Sequence, residues 1–253
     1  MQALSQLKTL YHLTLSPIRG KTHEERLDSF YGGQADDYDA FRKKMLHGRE
    51  ALFEQLTPPA GGDWLDIGAG TARNGELFGD ALSNVGSATF VDLSKSLLEV
   101  AQRRIDDRGW ANARTLHADA TRLPVEDASA DLVTFTYSLT MIPDWFAAID
   151  EAFRTLRPGG VVGVVDFYVS RRYPADERRK HAYWARNFWP VWFGTDNVHP
   201  SADHLPYLER RFETRNLDES HGKLPMVPIV RAPYYRFVGT KRGGEHGEAD
   251  ASV

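Results

Sequence analysis

The stretch Trp64-Leu65-Asp66-Ile67-Gly68-Ala69-Gly70-Thr71-Ala72 constrains the fold more than any other part of this chain. An apolar run that ends in an acid, turns on glycines and passes into helix formers predicts the buried first strand of an open α/β sheet. Such a sheet presents its carboxyl edge to a nucleotide-like ligand. A dinucleotide fingerprint would need a third glycine in the order G-x-G-x-x-G, and Arg73 stands there, so that frame fails. The frame acid-x-Gly-x-Gly is met by Asp66, Gly68 and Gly70, whose glycines let the backbone approach an uncharged ribose and an amino-acid tail. The alternative is an ordinary strand-turn-helix whose glycines only make the turn.

A regular alternation comes after the Pro58-Pro59 and Gly61-Gly62 punctuation. Periodicity predicts a helix over 72–82, a strand over 87–92, a serine-capped helix over 94–107 and a strand over 113–117. A fourth strand runs from 131, then a helix to 156, an Arg157-Pro158-Gly159-Gly160 turn and a fifth strand over 161–167. Segments 212–217 and 234–239 read as a sixth strand and an antiparallel seventh. Such alternation means parallel strands with right-handed crossovers. Asp66, Asp92 and Asp119 each stand at the end of a successive strand. A carboxylate at Asp92 can accept both hydroxyls of a ribose, for NAD as well as for other nucleosides.

The acid-x-Gly-x-Gly turn, the acid series and the Leu156-Arg157-Pro158-Gly159-Gly160 turn together resemble class I S-adenosylmethionine methyltransferases, apart from Ala72, where many members have a third glycine. The resemblance implies a Rossmann-like seven-stranded α/β sheet with helices on both faces and S-adenosylmethionine as cofactor, Asp119 taking the adenine amino group. It implies a cofactor shell of Tyr31, Tyr38, Arg42, Asp66, Gly68, Gly70, Thr71, Asp92, Leu93, Asp119, Ala120 and Ser138. Ala35, Tyr38 and Asp39 look like the lead-in that folds over the cofactor in many such enzymes. Residues 1–57 are then N-terminal helices and cofactor lid, 58–242 the methyltransferase domain with a helical, aromatic-rich insertion at 168–211, and 243–253 a disordered tail.

The 253 residues suit one core, and no apolar run approaches the roughly 18–20 residues of a membrane span. Zero cysteines exclude disulfides, thiolate zinc sites and cysteine nucleophiles and fit a reducing compartment, so a cytoplasmic location is expected. A net charge of −4 argues against a nucleic-acid-coating protein. Leu4, Leu7, Tyr11 and Leu15 make an amphipathic helix that either packs on the domain or touches a membrane. In the insertion Arg171, Arg172, Arg178, Arg179, Lys180 and Arg186 interleave with Tyr173, Tyr183, Trp184, Phe188, Trp189, Trp192 and Phe193. That density of aromatics suits a substrate lid or a membrane interface better than a phosphate groove for nucleic acid.

A narrower resemblance rests on Thr22-His23-Glu24-Glu25-Arg26-Leu27, Phe30-Tyr31-Gly32, Phe41-Arg42-Lys43, Leu46-His47-Gly48-Arg49 and Tyr137 to Pro143. It continues in His199, Asp203-His204-Leu205-Pro206-Tyr207-Leu208 and Arg231-Ala232-Pro233-Tyr234-Tyr235. These segments look like the betaine-lipid methyltransferases, which trimethylate the homoserine amine of diacylglyceryl homoserine. The resemblance implies a lipid with a homoserine headgroup as substrate and a location peripheral to the membrane, and it points to the enzyme that makes that headgroup as a partner. Tyr137 is expected to orient the amine. Tyr31, Tyr234 and Tyr235 are expected to face the quaternary ammonium, and Arg231 or His204, with Tyr207 nearby, to hold the carboxylate. The rival readings are a phosphatidylethanolamine or other amphipathic-amine methyltransferase, and a non-catalytic cofactor-binding module on a membrane or partner.

Overall fold

The computed structural model describes residues 22, 24–25, 45–194, 197–224 and 227–242, with backbone alone at 227–229. The helix expected at 1–16, the lead-in residues Tyr31, Tyr38 and Arg42, and the tail 243–253 lie outside the described residues.

Alternation of apolar residues through the middle of the chain yields seven strands. They are β1 (Asp63–Ile67), β2 (Ser87–Asp92), β3 (Ala113–His117), β4 (Ala130–Thr136), β5 (Leu156–Phe167), β6 (Glu213–Leu224) and β7 (Val227–Thr240). The helices are α1 (Arg49–Phe53), α2 (Gly75–Phe78), α3 (Lys95–Arg108), α4 (Trp145–Thr155), α5 (Tyr183–Gly194) and α6 (His204–Arg211). The sheet order is β3-β2-β1-β4-β5-β7-β6, with β1 to β5 parallel, β7 antiparallel to β5 and β6 antiparallel to β7. The chain winds outward from β1 in one direction and from β4 in the other. A crevice therefore opens at the carboxyl ends of those two strands.

The pleat sends alternate residues to two cores, one on each face. Trp64, Phe90 and Leu132 pack with Leu52 and Phe53 of α1, Ala101 and Ile105 of α3, and Trp189 and Phe193 of α5. Leu65, Ile67, Val133 and Phe135 pack with Ala148, Ile149 and Ala152 of α4 and Leu205 and Leu208 of α6. Trp64 centres the first core, edge-on to Phe53, Phe78 and Phe90. The turn expected at 157–160 is instead the irregular start of β5, where the register with β4 shifts, and its Arg157 guanidinium bridges Asp63 of β1 and Asp131 of β4 at the opposite edge and so aligns the starts of the two central strands.

Helix α3 begins on the expected serine: the Leu97 N–H donates to Ser94 Oγ. The helix expected over 72–82 is broken into short α2 and a 3₁₀ turn at Gly79–Asn84. The cause is local, since both Ala72 (φ 56°) and Gly79 (φ 54°) stand in the left-handed region. The last two strands are longer than the 212–217 and 234–239 expected. β6 is a polar edge strand whose exposed face has no apolar alternation to read. The insertion is helical, as expected, and supplies α5 and α6.

Asp166, near the end of β5, is fully buried and accepts from the Thr140 hydroxyl, the Thr140 N–H and the Phe167 N–H. Burial nevertheless raises its pKa to about 7, and that of Asp66 to about 6. An acid with a raised pKa in the fold stabilises it fully below the unfolded value near 4, and that contribution is lost as pH rises through the folded value. Asp166→Asn should therefore flatten the fall in stability between pH 4 and pH 8 by on the order of 3–4 kcal/mol. Urea denaturation across that range measures it, and an unchanged slope would show that Asp166 ionises as easily folded as unfolded.

Candidate active site

The glycine turn is held from beneath. Asp66 is buried, and its Oδ1 accepts from Thr134 Oγ1 at 2.7 Å, which in turn accepts from Trp64 Nε1 at 2.9 Å. Its Oδ2 accepts from Asn74 Nδ2 at 2.8 Å, and Asn74 Oδ1 accepts from Arg49 at 2.5 Å. Ser138 clamps the turn from β4 by donating to the Ile67 carbonyl at 2.9 Å. Gly68 has φ 68°, and a methyl group there would collide with the Ser138 side chain, so two independent constraints require glycine. Gly70 follows at φ 58°, and the third left-handed position of the turn holds Ala72 at φ 56°.

Above the turn lies a cavity of about 250 Å³ at the carboxyl ends of β1, β2 and β4. Gly68, Gly70, Asp92, Leu93, Asp119, Ala120, Tyr137 and Ser138 line it, so eight of the expected cofactor and catalytic residues converge on one place. Asp92 is held rigidly, accepting from the Gly70 N–H at 2.8 Å and the Ser94 N–H at 2.9 Å. Asp119 Oδ1 accepts from both the N–H and the hydroxyl of Thr121. Met141, Ile142 and Pro143 make the mouth apolar. At the rim, His117 Nε2 lies 3.0 Å from the Leu93 carbonyl and 3.2 Å from Glu24, while Lys95 meets Glu24 at 3.1 Å. Thr22 and Glu25 exchange reciprocal side-chain to N–H bonds, a capping box.

Tyr137 borders the cavity with a positive φ of 56°, a costly conformation for a bulky residue and one that marks functional turns. Its N–H donates to the Val165 carbonyl at 2.7 Å and its hydroxyl to the His47 carbonyl at 2.6 Å. Burial first, and then the neighbouring Asp166, push its pKa well above the usual phenol value, so the hydroxyl stays protonated. It is a positioned donor and not a base.

The remaining expected residues divide. Asp66 and Thr71 are buried under the turn and support it without lining the cavity. Tyr234 stands beside the cavity's neighbour His47, at 6.3 Å between ring centroids, and its ring lies against Gly48. Tyr235, by strand alternation, points to the other face and is fully buried with Phe237. His204 is equally buried, between Trp145 and Tyr235, with its pKa lowered by burial to about 3, so it cannot offer a charge to a carboxylate. The Tyr207 hydroxyl is taken by Asp150. These positions correct the expected substrate set: His204, Tyr207 and Tyr235 are core and surface of the far face, and Arg231 belongs to a separate cavity under α5. Two residues were missed. Asn74 carried no motif, and Arg49 stood in the Leu46-His47-Gly48-Arg49 segment with no role of its own, yet together they secure Asp66.

Comparison with known proteins agrees with this geometry. The [4+2]-cyclase SpnF superposes with a TM-score of 0.65 at 16% identity, covering 90% of this chain and all of that one. Phospholethanolamine N-methyltransferase 2 of Haemonchus contortus, complexed with phosphomonomethylethanolamine and S-adenosylhomocysteine, superposes with a TM-score of 0.67 at 15% identity. It covers 88% of this chain and 61% of that one. At such identity these share the fold alone. A demethylmenaquinone methyltransferase of Geobacillus sp. (strain WCH70) is 27% identical over 147 residues, 56% of this chain and 63% of the relative. The chain thus spans less than two thirds of that relative's length. The profile of the ubiE/COQ5 methyltransferase family matches residues 21–212, and the chain belongs to that family of S-adenosylmethionine-dependent methyltransferases.

Proposed function

We propose that the chain methylates the homoserine amine of diacylglyceryl homoserine, in successive steps, to give a betaine lipid. The observation that carries this reading is a convergence. The segment Leu46-His47-Gly48-Arg49, the exit residue Tyr137 and Tyr234 of the segment Arg231 to Tyr235 are distant in sequence and meet beside the donor cavity through the Tyr137–His47 bond and the His47–Tyr234 contact. These are segments on which the resemblance to betaine-lipid methyltransferases rests.

In the donor cavity Asp92 would take the ribose hydroxyls and Asp119 the adenine amino group, while Gly68 and Gly70 admit the rest of the molecule to the backbone. When bound there, S-adenosylmethionine would supply an electrophilic methyl group for in-line displacement, and the cavity would hold the unprotonated amine in line with it. The substituted ammonium sheds its proton to water before the next round. Such a displacement draws on proximity and exclusion of water. A protonated Tyr137 that fixes the wall of the cavity suits it.

The membrane supplies the acceptor in this reading. No helix among the described residues is long and apolar enough to cross a bilayer. Tyr183 and Trp184, 77% and 62% exposed, and Tyr173, Val191 and Trp192 present an aromatic surface from the insertion, suited to the headgroup level of a membrane. Arg171 and Arg178 are engaged by Asp203 and Glu209, while the side chains of Arg172 and Lys180, which lie over the Tyr173 ring, and of Arg179, which meets the neutral His221, pair with no acid among the described residues and would meet anionic lipid.

A second reading is favoured by the 27% identity to a demethylmenaquinone methyltransferase, whose name gives a quinone as acceptor. Incubation with a deuteromethyl donor and, separately, diacylglyceryl homoserine, phosphatidylethanolamine and demethylmenaquinol separates the readings by mass spectrometry. The homoserine lipid should gain up to three methyl groups. Labelling of the quinol or of phosphatidylethanolamine alone would overturn the assignment. Within the site, Tyr137→Phe should cut turnover about tenfold or more while leaving donor affinity within about twofold. Asp92→Ala should instead weaken donor binding by roughly 2–3 kcal/mol in calorimetry. Equal loss of donor affinity in both would place Tyr137 in the cofactor shell.

A further inference from the structure

A second cavity, of about 710 Å³, lies between α5 and the β6–β7 hairpin. A run of packed rings separates it from the methyl-transfer cavity: Tyr137 tilted against Phe167 at 4.6 Å, Phe167 stacked on Phe193 at 4.5 Å and Phe193 on Trp189 at 5.4 Å between centroids. An α-carboxylate one carbon from a reacting amine cannot span that path, so this cavity is not the place of the acceptor's own carboxylate.

Its chemistry is one-sided. Arg179, Lys180, His181, His221 and Arg231 supply its polar lining, and no acid lines it among the described residues. Trp184, Phe188 and Trp189 form an apolar wall. His181 is 6% exposed and clamped in both directions, its N–H donating to Ser170 Oγ at 2.8 Å and its Nδ1 accepting from the Ser170 N–H at 3.0 Å. An acceptor Nδ1 places the proton on Nε2, and that buried Nε2–H has no partner among the described residues. A buried donor without a partner costs free energy unless a ligand supplies an acceptor. His221 sits 5.7 Å from His181 and receives Arg179 Nη1 at 3.1 Å on Nδ1, which leaves its own Nε2–H as a donor. Burial and the neighbouring cations lower the pKa of both rings, to about 4 at His181, so both are neutral donors beside two guanidinium groups.

We propose that this cavity binds the phosphate-bearing headgroup of an anionic lipid. The His181 Nε2–H is the buried donor, Arg179 and Arg231 are the cations, and Trp184, Phe188 and Trp189 are the wall for the first acyl carbons. Donors that converge from three elements suit a phosphate with several oxygens better than a two-oxygen carboxylate. The aromatic wall and exposed Trp184 distinguish a lipid from free phosphate. The choice of a lipid rests on the membrane-facing reading above, while the site is independent of which acceptor is methylated.

Trp184 and Trp189 report occupancy by their own fluorescence. Titration with short-chain phosphatidic acid below its micelle concentration should give a saturable change, at least about tenfold tighter than with inorganic phosphate. The exposed pair Arg179→Gln/Arg231→Gln should weaken it about tenfold or more, and His181→Phe should weaken it while an unchanged melting temperature and S-adenosylhomocysteine titration show an intact fold and donor site. If His181→Phe does not fold, the double glutamine variant decides alone. Absence of saturation, or a response undiminished by the double variant, would overturn the site. Equal affinity for inorganic phosphate would overturn the lipid. A failed methylation assay with homoserine lipid would leave these titrations unaffected, so the two proposals fail separately.

Discussion

A single buried carboxylate organises the centre of this protein. Asp66 is out of water, and removal of its charge from solvent would be prohibitive without the donors around it: the Thr134 hydroxyl, itself held by the Trp64 indole, and the Asn74 amide, itself held by Arg49. Because Thr134 is on β4, Asn74 lies just past the glycine turn and Arg49 begins α1, these bonds tie three separated pieces of chain to the end of β1. The turn that results carries Ala72 in a left-handed conformation, and the bonds of Tyr137 to Val165 and His47 hold that residue in another, both of which isolated residues of those types avoid.

The two faces of the sheet then take different work. The face with α4 and α6 is a packed core, in which His204, Tyr235 and Leu208 have no access to solvent or ligand. The opposite face carries α1, α3 and α5, and there the Tyr137–Phe167–Phe193–Trp189 ring series joins the donor cavity to the insertion. Here the segment beyond β5 is aromatic, exposed and basic, which is what the proposed lipid acceptor would call for.

The strand ends were legible in the sequence because their constraints are local. An acid before two glycines, an acid ending each of the next two strands and a serine at a helix start each act over a few residues, and Gly68, Gly70, Asp92, Asp119 and Tyr137 do meet at one cavity. Substrate residues were less legible, because their assignment depends on which face a strand residue takes and on how far a helix is sunk. Tyr234 and Tyr235 are adjacent in sequence and part company by the pleat, and His204 disappears under Trp145. Asn74 escaped notice for another reason: its role is to satisfy a buried acid across the fold, and nothing in its neighbourhood announces that partner. The pairing of His181 with His221 under α5 likewise arises only when β6 returns beside the insertion.

The central claim is that donor binding depends on the support beneath the glycine turn. Asn74→Leu removes the Asp66 and Arg49 bonds without touching the cavity lining. Donor affinity measured by calorimetry in this variant, beside hydrogen exchange of the Gly68 and Gly70 amides, tests it most directly. The predicted result is donor binding weakened about tenfold, ~1.4 kcal/mol, with faster exchange at the turn and a protein that remains folded. Unchanged donor affinity in a folded variant would contradict it.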